Sequence, residues 1–266
     1  HGMLASCTFW RSTINQFSSK YRCVAPDVRG HGESTYNKKI SSQNDYANDV
    51  ILFAKALKIE KFTVMGWSMG GAIAQQLAIN EPNMVTKLIL HSAVGAQGYP
   101  LFDLDENGQP SERVTTWEGA YKNVIAIDVN RAATEKDRKT AIESESEFTY
   151  NGAKKLEGAQ AEEVADQWGQ CQSVFECFAW LNLHNISAEN NGAVDGANTL
   201  AKIQCPVLVL HGKNDKTIDI DGANKTVAWL KEAGNKSVDY HTFDNCGHCV
   251  LHDHWDEYVK LVGEFL

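Results

Sequence analysis

The chain contains 266 residues, of which 43% are hydrophobic and 22% are charged, and its formal net charge is −9. A chain of this length can bury one large core and carry an insertion. No apolar stretch approaches the roughly 20 residues of a membrane-spanning helix, and no basic stripe is available to neutralise phosphates. We therefore expect a globular protein with no membrane partner and no nucleic-acid partner.

Several short runs of apolar and β-branched residues along the chain predict strands. They cover residues 21–26, 62–65, 86–91, 206–210 and 238–243. Residues 72–78 are strong helix formers, and the pattern stops at Glu81-Pro82. Strands that alternate with helical segments indicate an α/β fold with a mostly parallel sheet.

Ser68 lies between Gly66 and Gly70, where the second predicted strand gives way to a helix. A sharp strand-to-helix turn strains its corner residue and requires small neighbours, because a Cβ at either glycine would collide with the packed strand or helix. The turn lifts the serine hydroxyl clear of the sheet and places it at the positive end of the helix. We interpret Ser68 as a nucleophile.

A nucleophilic serine needs a base, and the base needs an orienting carboxylate. Asp215 follows the fourth predicted strand and His248 follows the fifth, so both would reach the sheet edge that Ser68 occupies. Asp219 and Asp221 are alternative acids close to Asp215. We favour Asp215 because it stands early in its loop, where it can reach back over the sheet edge.

Residues 97–200 differ from the rest of the chain, since they hold 18 acidic and 8 basic residues. They contain no convincing alternating strand and several aromatic residues, which predicts a helical cap with a solvated acidic face. Residues 103–108 match the first half of a calcium loop, but Val114 stands where the last acidic ligand belongs. We therefore predict no metal site.

The seven cysteines have no regular spacing. Cys246 and Cys249 bracket His248, but the second ligand pair of a zinc site is not evident. Free thiols in a reducing compartment, and hence a cytoplasmic location, fit this pattern best. The remaining histidines near the predicted site are assigned structural or solvated roles: His31, His91, His211, His252 and His254.

Taken together, the motifs resemble those of the α/β-hydrolase fold family. The matching residues are His1-Gly2, Asp27 to Ser34, Gly66 to Gly71, Gly212 to Asp215 and Gly247-His248. The resemblance implies a parallel central sheet flanked by helices, with residues 1–96 and 201–266 as the core and residues 97–200 as a helical cap.

The resemblance also implies a role for individual residues. Ser68 would be the nucleophile, His248 the base and Asp215 its orienter. The oxyanion donors would be the backbone N–H groups of Met3 and Met69. Substrate contacts are expected from Gly2, Trp67 and Trp180.

Such a site performs two-step acyl transfer without a cofactor. Our first hypothesis is a serine esterase that acts on small to medium carboxylic esters. The alternatives are a lactonase, a thioesterase, a C–C bond hydrolase, a cofactor-free haloperoxidase and a slow-turnover receptor for small molecules. The expected partner is a small-molecule ester, and the oligomeric state stays open.

In the family, His-Gly stands at the end of a strand that lies near the middle of the sheet. This chain begins with that pair. We therefore expect an upstream segment of roughly 20–35 residues, either in the natural protein or supplied by another chain.

Overall fold

The computed structural model describes residues 1–266. Its centre is a four-stranded sheet in the order β1–β2–β5–β6. The strands are β1 (Phe62–Trp67), β2 (Val85–His91), β5 (Val207–Gly212) and β6 (Val238–Phe243). Every neighbouring pair is parallel, so all four carboxyl ends meet at one edge of the sheet. This arrangement confirms the predicted parallel α/β sheet.

The alternating side chains of the central strands define two apolar layers. Leu88 and Leu90 of β2 belong to the larger cluster, whereas Ile89 belongs to a second cluster on the opposite face. The first layer is covered by α2 (Gln43–Ala56), α3 (Met69–Asn80) and α9 (Ile220–Glu232). The second is covered by α1 (Arg11–Phe17), α10 (Val250–Asp253) and α11 (Trp255–Phe265).

Helix α3 is buried on every side. Each residue from Met69 to Ile79 is buried, because α3 lies between the sheet and α2. Its run of alanines and glycines provides the small side chains that such close packing requires. The helix that begins at the proposed nucleophile is therefore a rigid element.

The segment between β2 and β5 begins with an antiparallel hairpin of β3 (Phe102–Leu104) and β4 (Pro110–Arg113). This hairpin corrects the expectation that the segment contains no strands. Its turn uses Gly108 at φ +75°, and Asp105 accepts hydrogen bonds from the N–H groups of Asn107 and Gln109. The residues that mimic half of a calcium loop thus form a tight turn.

Five helices follow the hairpin: α4 (Trp117–Lys122), α5 (Val124–Thr134), α6 (Arg138–Phe148), α7 (Gly158–Trp168) and α8 (Val174–Asn182). The side chains of Asn123 and Asp137 cap the starts of α5 and α6. Together with Leu4 and Cys249, the apolar residues of this segment form a separate core cluster. The segment therefore has its own core, which includes residues from the loops beside the proposed site.

The strand predicted at residues 21–26 is not present. Residues 22–26 lie outside every strand, and their N–H groups make no hydrogen bond to another backbone group. A strand requires a ladder partner, and β1 pairs only with β2. A largely apolar groove of about 710 Å³ is lined by residues of both β1 and the 22–26 segment.

None of the helices in the structure is long and apolar enough to cross a bilayer.

Candidate active site

Ser68 occupies the corner between β1 and α3 with φ +57° and ψ −122°. A Cβ at Gly66 would lie 2.1 Å from the carbonyl oxygen of Gly70, and a Cβ at Gly70 would lie 2.7 Å from that of His1. Both positions therefore require glycine, as the sequence predicted. A strained, non-glycine corner that is held by its surroundings is typical of a functional serine.

The first residues of the chain pack against this corner. A Cβ on Gly2 would lie 2.9 Å from the Trp67 ring and 3.1 Å from the Ser68 Cβ atom, so Gly2 is in close contact with Ser68. The N–H groups of Met3 and Met69 donate no hydrogen bond to another backbone group. Two unpaired donors on segments that adjoin Ser68 suit an oxyanion hole.

Asp215 and His248 are hydrogen-bonded to each other. His248 Nδ1 lies 2.7 Å from Asp215 Oδ2, and both side chains are buried. Asp215 Oδ1 accepts hydrogen bonds from the N–H groups of Thr217 at 2.8 Å and Ile218 at 2.9 Å. The contact with the carboxylate places the imidazole proton on Nδ1 and leaves Nε2 as an acceptor. Nε2 has no hydrogen-bond partner in the structure.

The charge state of Asp215 follows from its surroundings. Burial alone would raise the pKa of this carboxyl, but attraction to His248 and hydrogen bonds from His211 and His248 outweigh burial. The pKa of Asp215 is therefore held well below its usual range. An ionised carboxylate is the form that orients a histidine and stabilises its protonated state.

The alternative acids lie elsewhere. The Asp219 side chain is exposed and accepts a hydrogen bond from the Asp221 N–H group at the start of α9. Asp221 is also exposed. Neither carboxylate is among the partners of His248, so the structure pairs His248 with Asp215.

Trp67 joins the serine corner to the histidine loop. Its Nε1 donates to the carbonyl oxygen of His248 at 2.9 Å, and its ring stacks on Phe9 at 3.8 Å between centroids. The ring centroids of Trp67 and His248 are 5.1 Å apart. Ser68, Asp215 and His248, which follow β1, β5 and β6, are thus brought to one edge of the sheet.

Trp180 lies deeper than a substrate contact would suggest. Only 1% of its surface is exposed, and its ring packs against Tyr46 and His184 at centroid distances of 5.6 and 6.2 Å. Trp67 and Met3 instead line a cavity of about 240 Å³, with Glu145, Tyr150 and Cys249 among its other walls. The predicted substrate role of Trp180 therefore has no support from its position.

Residues 148–151 connect the segment between β2 and β5 to the loops that carry Asp215 and His248. The His248 N–H group donates to the Thr149 carbonyl oxygen at 3.1 Å. Asn151 Nδ2 donates to the Asn214 carbonyl oxygen, and Thr217 Oγ1 donates to that of Phe148, each at 3.0 Å. These contacts place the end of α6 directly against the loops that carry Asp215 and His248.

The cysteines do not form a cluster at this site. All seven are free thiols, and Cys246 and Cys249 belong to different apolar clusters. Burial raises the pKa of both thiols, so they stay protonated and unreactive at neutral pH. No group of three or more His, Cys, Asp or Glu side chains is arranged to hold a metal ion.

One functional contact escaped the sequence analysis. His211, which was assigned a structural or solvated role, places its Nε2 atom 3.3 Å from Asp215 Oδ2. The only sequence signal for this contact was that His211 ends a strand four residues before Asp215. Outside a helix, a separation of four residues does not fix the distance between two side chains, so the contact could not be predicted.

The parallel sheet and the arrangement of Ser68, Asp215 and His248 at its edge are typical of the α/β-hydrolase fold. A comparison with protein-family models gives the same result. A model of the alpha/beta hydrolase fold family matches residues 1–254. The chain therefore belongs to the alpha/beta hydrolase fold family.

Individual relatives differ in their described activities. A non-heme chloroperoxidase of Streptomyces lividans is 29% identical over 90% of this chain and 81% of its own length. A 2-hydroxymuconate semialdehyde hydrolase of Pseudomonas sp. (strain CF600) is 26% identical over 97% of this chain and 80% of its own. An uncharacterized protein of Mycobacterium tuberculosis is 36% identical, but the match covers only 36% of this chain and 28% of that protein.

Solved structures show the same fold. An esterase of Exiguobacterium antarcticum has a TM-score of 0.72 at 19% identity, covering 100% of this chain and 89% of its own. A 2-hydroxy-6-oxo-6-phenylhexa-2,4-dienoate hydrolase of Rhodococcus has a TM-score of 0.68 at 20% identity, covering 99% and 86%. These structures share the α/β-hydrolase fold with this chain.

Proposed function

We propose that this protein is a serine hydrolase that cleaves carboxylic esters of small to medium size. The observation that carries the proposal is the buried Asp215–His248 pair at 2.7 Å, which faces the same sheet edge as the strained Ser68. An ionised acid, a histidine with a free Nε2 and a serine at a helix start together suit acyl transfer.

The proposed reaction has two steps. Ser68 Oγ attacks the ester carbonyl carbon while His248 Nε2 takes the hydroxyl proton, and the proton then passes to the leaving alcohol. The acyl group stays on Ser68 until a water molecule, deprotonated by His248, attacks the same carbon. The bond to Ser68 Oγ then breaks, His248 returns the proton to that oxygen, and the acid is released. The Met3 and Met69 N–H groups would stabilise the oxyanion in both steps, and each such donor typically contributes on the order of 10²–10³ in rate.

Residues 97–200 would act as the cap over this site. Their contacts with the loops of Asp215 and His248 through residues 148–151 support that role. The shared core cluster with Leu4 and Cys249 also supports it. The cap would limit the size of the acyl or alcohol group. Gly2 and Trp67 lie beside Ser68 and would contact the substrate group that is bound there.

A second candidate is a C–C bond hydrolase. It is favoured by the similarity to the 2-hydroxymuconate semialdehyde hydrolase, which extends over 97% of this chain. Such an enzyme would use the same serine, histidine and aspartate, so the choice between the two activities depends on the substrate.

The test uses purified protein with p-nitrophenyl esters, homoserine lactones, acyl thioesters and a ring-fission product that carries a vinylogous ketone. Repeated turnover of the esters, with little cleavage of the ring-fission product, would support the esterase proposal. The reverse preference would support the C–C hydrolase. A single round of acylation without further turnover would indicate a receptor and contradict both.

A fluorophosphonate probe locates the nucleophile. We expect the wild type and a Ser237→Ala control to be labelled equally, because Ser237 is exposed and directly precedes β6, at the sheet edge opposite to the one that Ser68 occupies. Ser68→Ala should lose both labelling and activity. Labelling that persists in Ser68→Ala would identify a different nucleophile and refute the proposed site.

A further inference from the structure

His211 is a buried histidine beside the acid of the proposed triad. It lies near the end of β5 and pairs in register with Thr242 of β6. Its side chain is fully buried, as is that of Asp215. An imidazole at such a position has to satisfy its polar atoms within the protein.

The contacts of His211 determine where its proton lies. Nε2 is 2.9 Å from the carbonyl oxygen of Ile218 and 3.3 Å from Asp215 Oδ2. Both partners accept hydrogen bonds and neither can donate one, so Nε2 carries the proton. Nδ1 is buried and has no partner, so the contacts of the ring require a proton on Nε2 alone.

The Nε2 atom of His211 reaches both ends of the acid loop, since it is hydrogen-bonded to the Ile218 carbonyl oxygen and lies 3.3 Å from Asp215 Oδ2 in a weaker, charge-assisted contact. Asp215 begins the turn and Ile218 ends it, and the Ile218 N–H group already binds Asp215 Oδ1. His211 adds a contact from the strand to both residues. The loop is thereby attached to β5 as well as to itself.

We propose that His211 is a positioning residue that holds Asp215 Oδ2 in line with His248 Nδ1. The inference rests on the proposed function, in which Asp215 orients the base. The Thr217 and Ile218 N–H groups restrain Oδ1, and the Nε2–H group of His211 restrains Oδ2. A carboxylate that is held at both oxygens cannot rotate away from the histidine it orients.

The other buried imidazole near this carboxylate has a different role. The His91 ring makes no hydrogen bond and packs among Phe9, Trp10, Trp67 and Tyr258. His91 therefore does not compete for Asp215, and the imidazole that lies against Oδ2 besides His248 is His211, at 3.3 Å.

Two amide variants separate hydrogen bonding from packing. In His211→Gln the amide nitrogen extends about as far as Nε2 and still donates to Asp215, whereas in His211→Asn it is one methylene too short. His241→Gln on the neighbouring strand is the control, because His241 is only half-buried and makes no hydrogen bond to the loop. Each protein is examined by kinetics on a p-nitrophenyl ester and by proton NMR of the downfield His248 Nδ1–H resonance.

We expect His211→Asn to lower kcat on the order of 10–100-fold. This is the range found when an outer residue that orients a metal ligand is removed, and His211 would orient Asp215 in the same way. KM should change less than about twofold, since no binding contact is lost. The downfield resonance should broaden or disappear. His211→Gln should retain both the resonance and most of kcat, and His241→Gln should behave as wild type.

The inference is wrong if His211→Asn keeps the wild-type resonance and kcat, or if a folded His211→Gln loses both. If His211→Asn fails to fold, the result for His211→Gln decides alone. The NMR measurement requires no substrate. An inactive wild type that shows the resonance and its loss in His211→Asn would therefore refute the proposed function while supporting the positioning role.

Discussion

His184 makes the folded protein sensitive to acid. Only 1% of its surface is exposed, neither ring nitrogen has a hydrogen-bond partner, and its ring packs edge-on against Trp180. Burial lowers the pKa of His184 to about 4. Protonation would place an unpaired charge in the core beside Trp180, so the folded state resists it.

The magnitude follows from linkage between protonation and folding. In the unfolded chain this histidine has a pKa of about 6.5, so the unfolded state binds a proton first as the pH falls. Stability is therefore complete above about pH 6.5 and decreases until about pH 4, where the folded state is also protonated. At pH 5 the loss from this one residue is about 2 kcal/mol, from about 1.5 pH units at 1.36 kcal/mol each.

His184→Leu should remove that part of the loss, since it keeps an apolar side chain of similar volume without a titrating group. The assay is urea unfolding followed by tryptophan fluorescence at pH 7 and pH 5. The decrease in unfolding free energy between the two pH values should be about 2 kcal/mol smaller in His184→Leu than in the wild type. His241→Leu, at a half-exposed site, is the control and should show the wild-type decrease. An equal decrease in His184→Leu and the wild type would refute the reasoning.

Three further predictions concern the acid, the serine corner and the cap. Asp215→Asn should lower kcat on the order of 10⁴-fold, because the amide favours the wrong tautomer of His248. Asp219→Asn alters an exposed helix cap and should change kcat less than about twofold. A larger loss of kcat in Asp219→Asn than in Asp215→Asn would contradict the pairing of Asp215 with His248. Gly66→Ala should destabilise the fold by more than about 2 kcal/mol, because its Cβ would lie 2.1 Å from a backbone oxygen. Gly222→Ala, in a helix with open space around it, should be neutral or stabilising by up to about 1 kcal/mol, and equal melting temperatures for these two variants would contradict the packing argument. Asn182→Ala should cost about 2–4 kcal/mol, because Asn182 binds the Leu101 N–H group and the Val114 carbonyl oxygen; unchanged urea unfolding would show that these groups find other partners.

The parallel strands could be predicted from their side-chain patterns. The continuous apolar run of β5 is typical of a strand that is covered on both faces, and β6 alternates between apolar and polar residues. The glycines around Ser68 were also predictable, since the steric demand of the corner is local. Residues 21–26 have a similar composition, yet they form no strand. Composition reports β-propensity, whereas a strand also depends on a neighbour that lies in register.

The cap hairpin and the His211 contact could not be predicted for a related reason. The strands of the hairpin span only residues 102–104 and 110–113, too short for an alternating pattern to be distinct. His211 meets Asp215 because the loop from Asp215 to Ile218 folds back over the end of β5. The sequence spacing of two residues in a strand and a loop does not specify that distance.

If residues 97–200 form the proposed cap, the attachment of residues 148–151 limits how that cap could move. Lifting the end of α6 would break the hydrogen bonds from His248, Asn151 and Thr217, at a cost of about 0.5–1.5 kcal/mol each. It would also pull on the backbone of the proposed base. The proposed cap is held at other points as well, because Gln167 Oε1 accepts a hydrogen bond from the Ser6 N–H group at 3.0 Å and the Gln172 N–H group donates to the Gly30 carbonyl oxygen at 2.8 Å. A movement of residues 97–200 as one body would therefore break contacts with the segments around Ser6 and Gly30 as well as with the loops of Asp215 and His248.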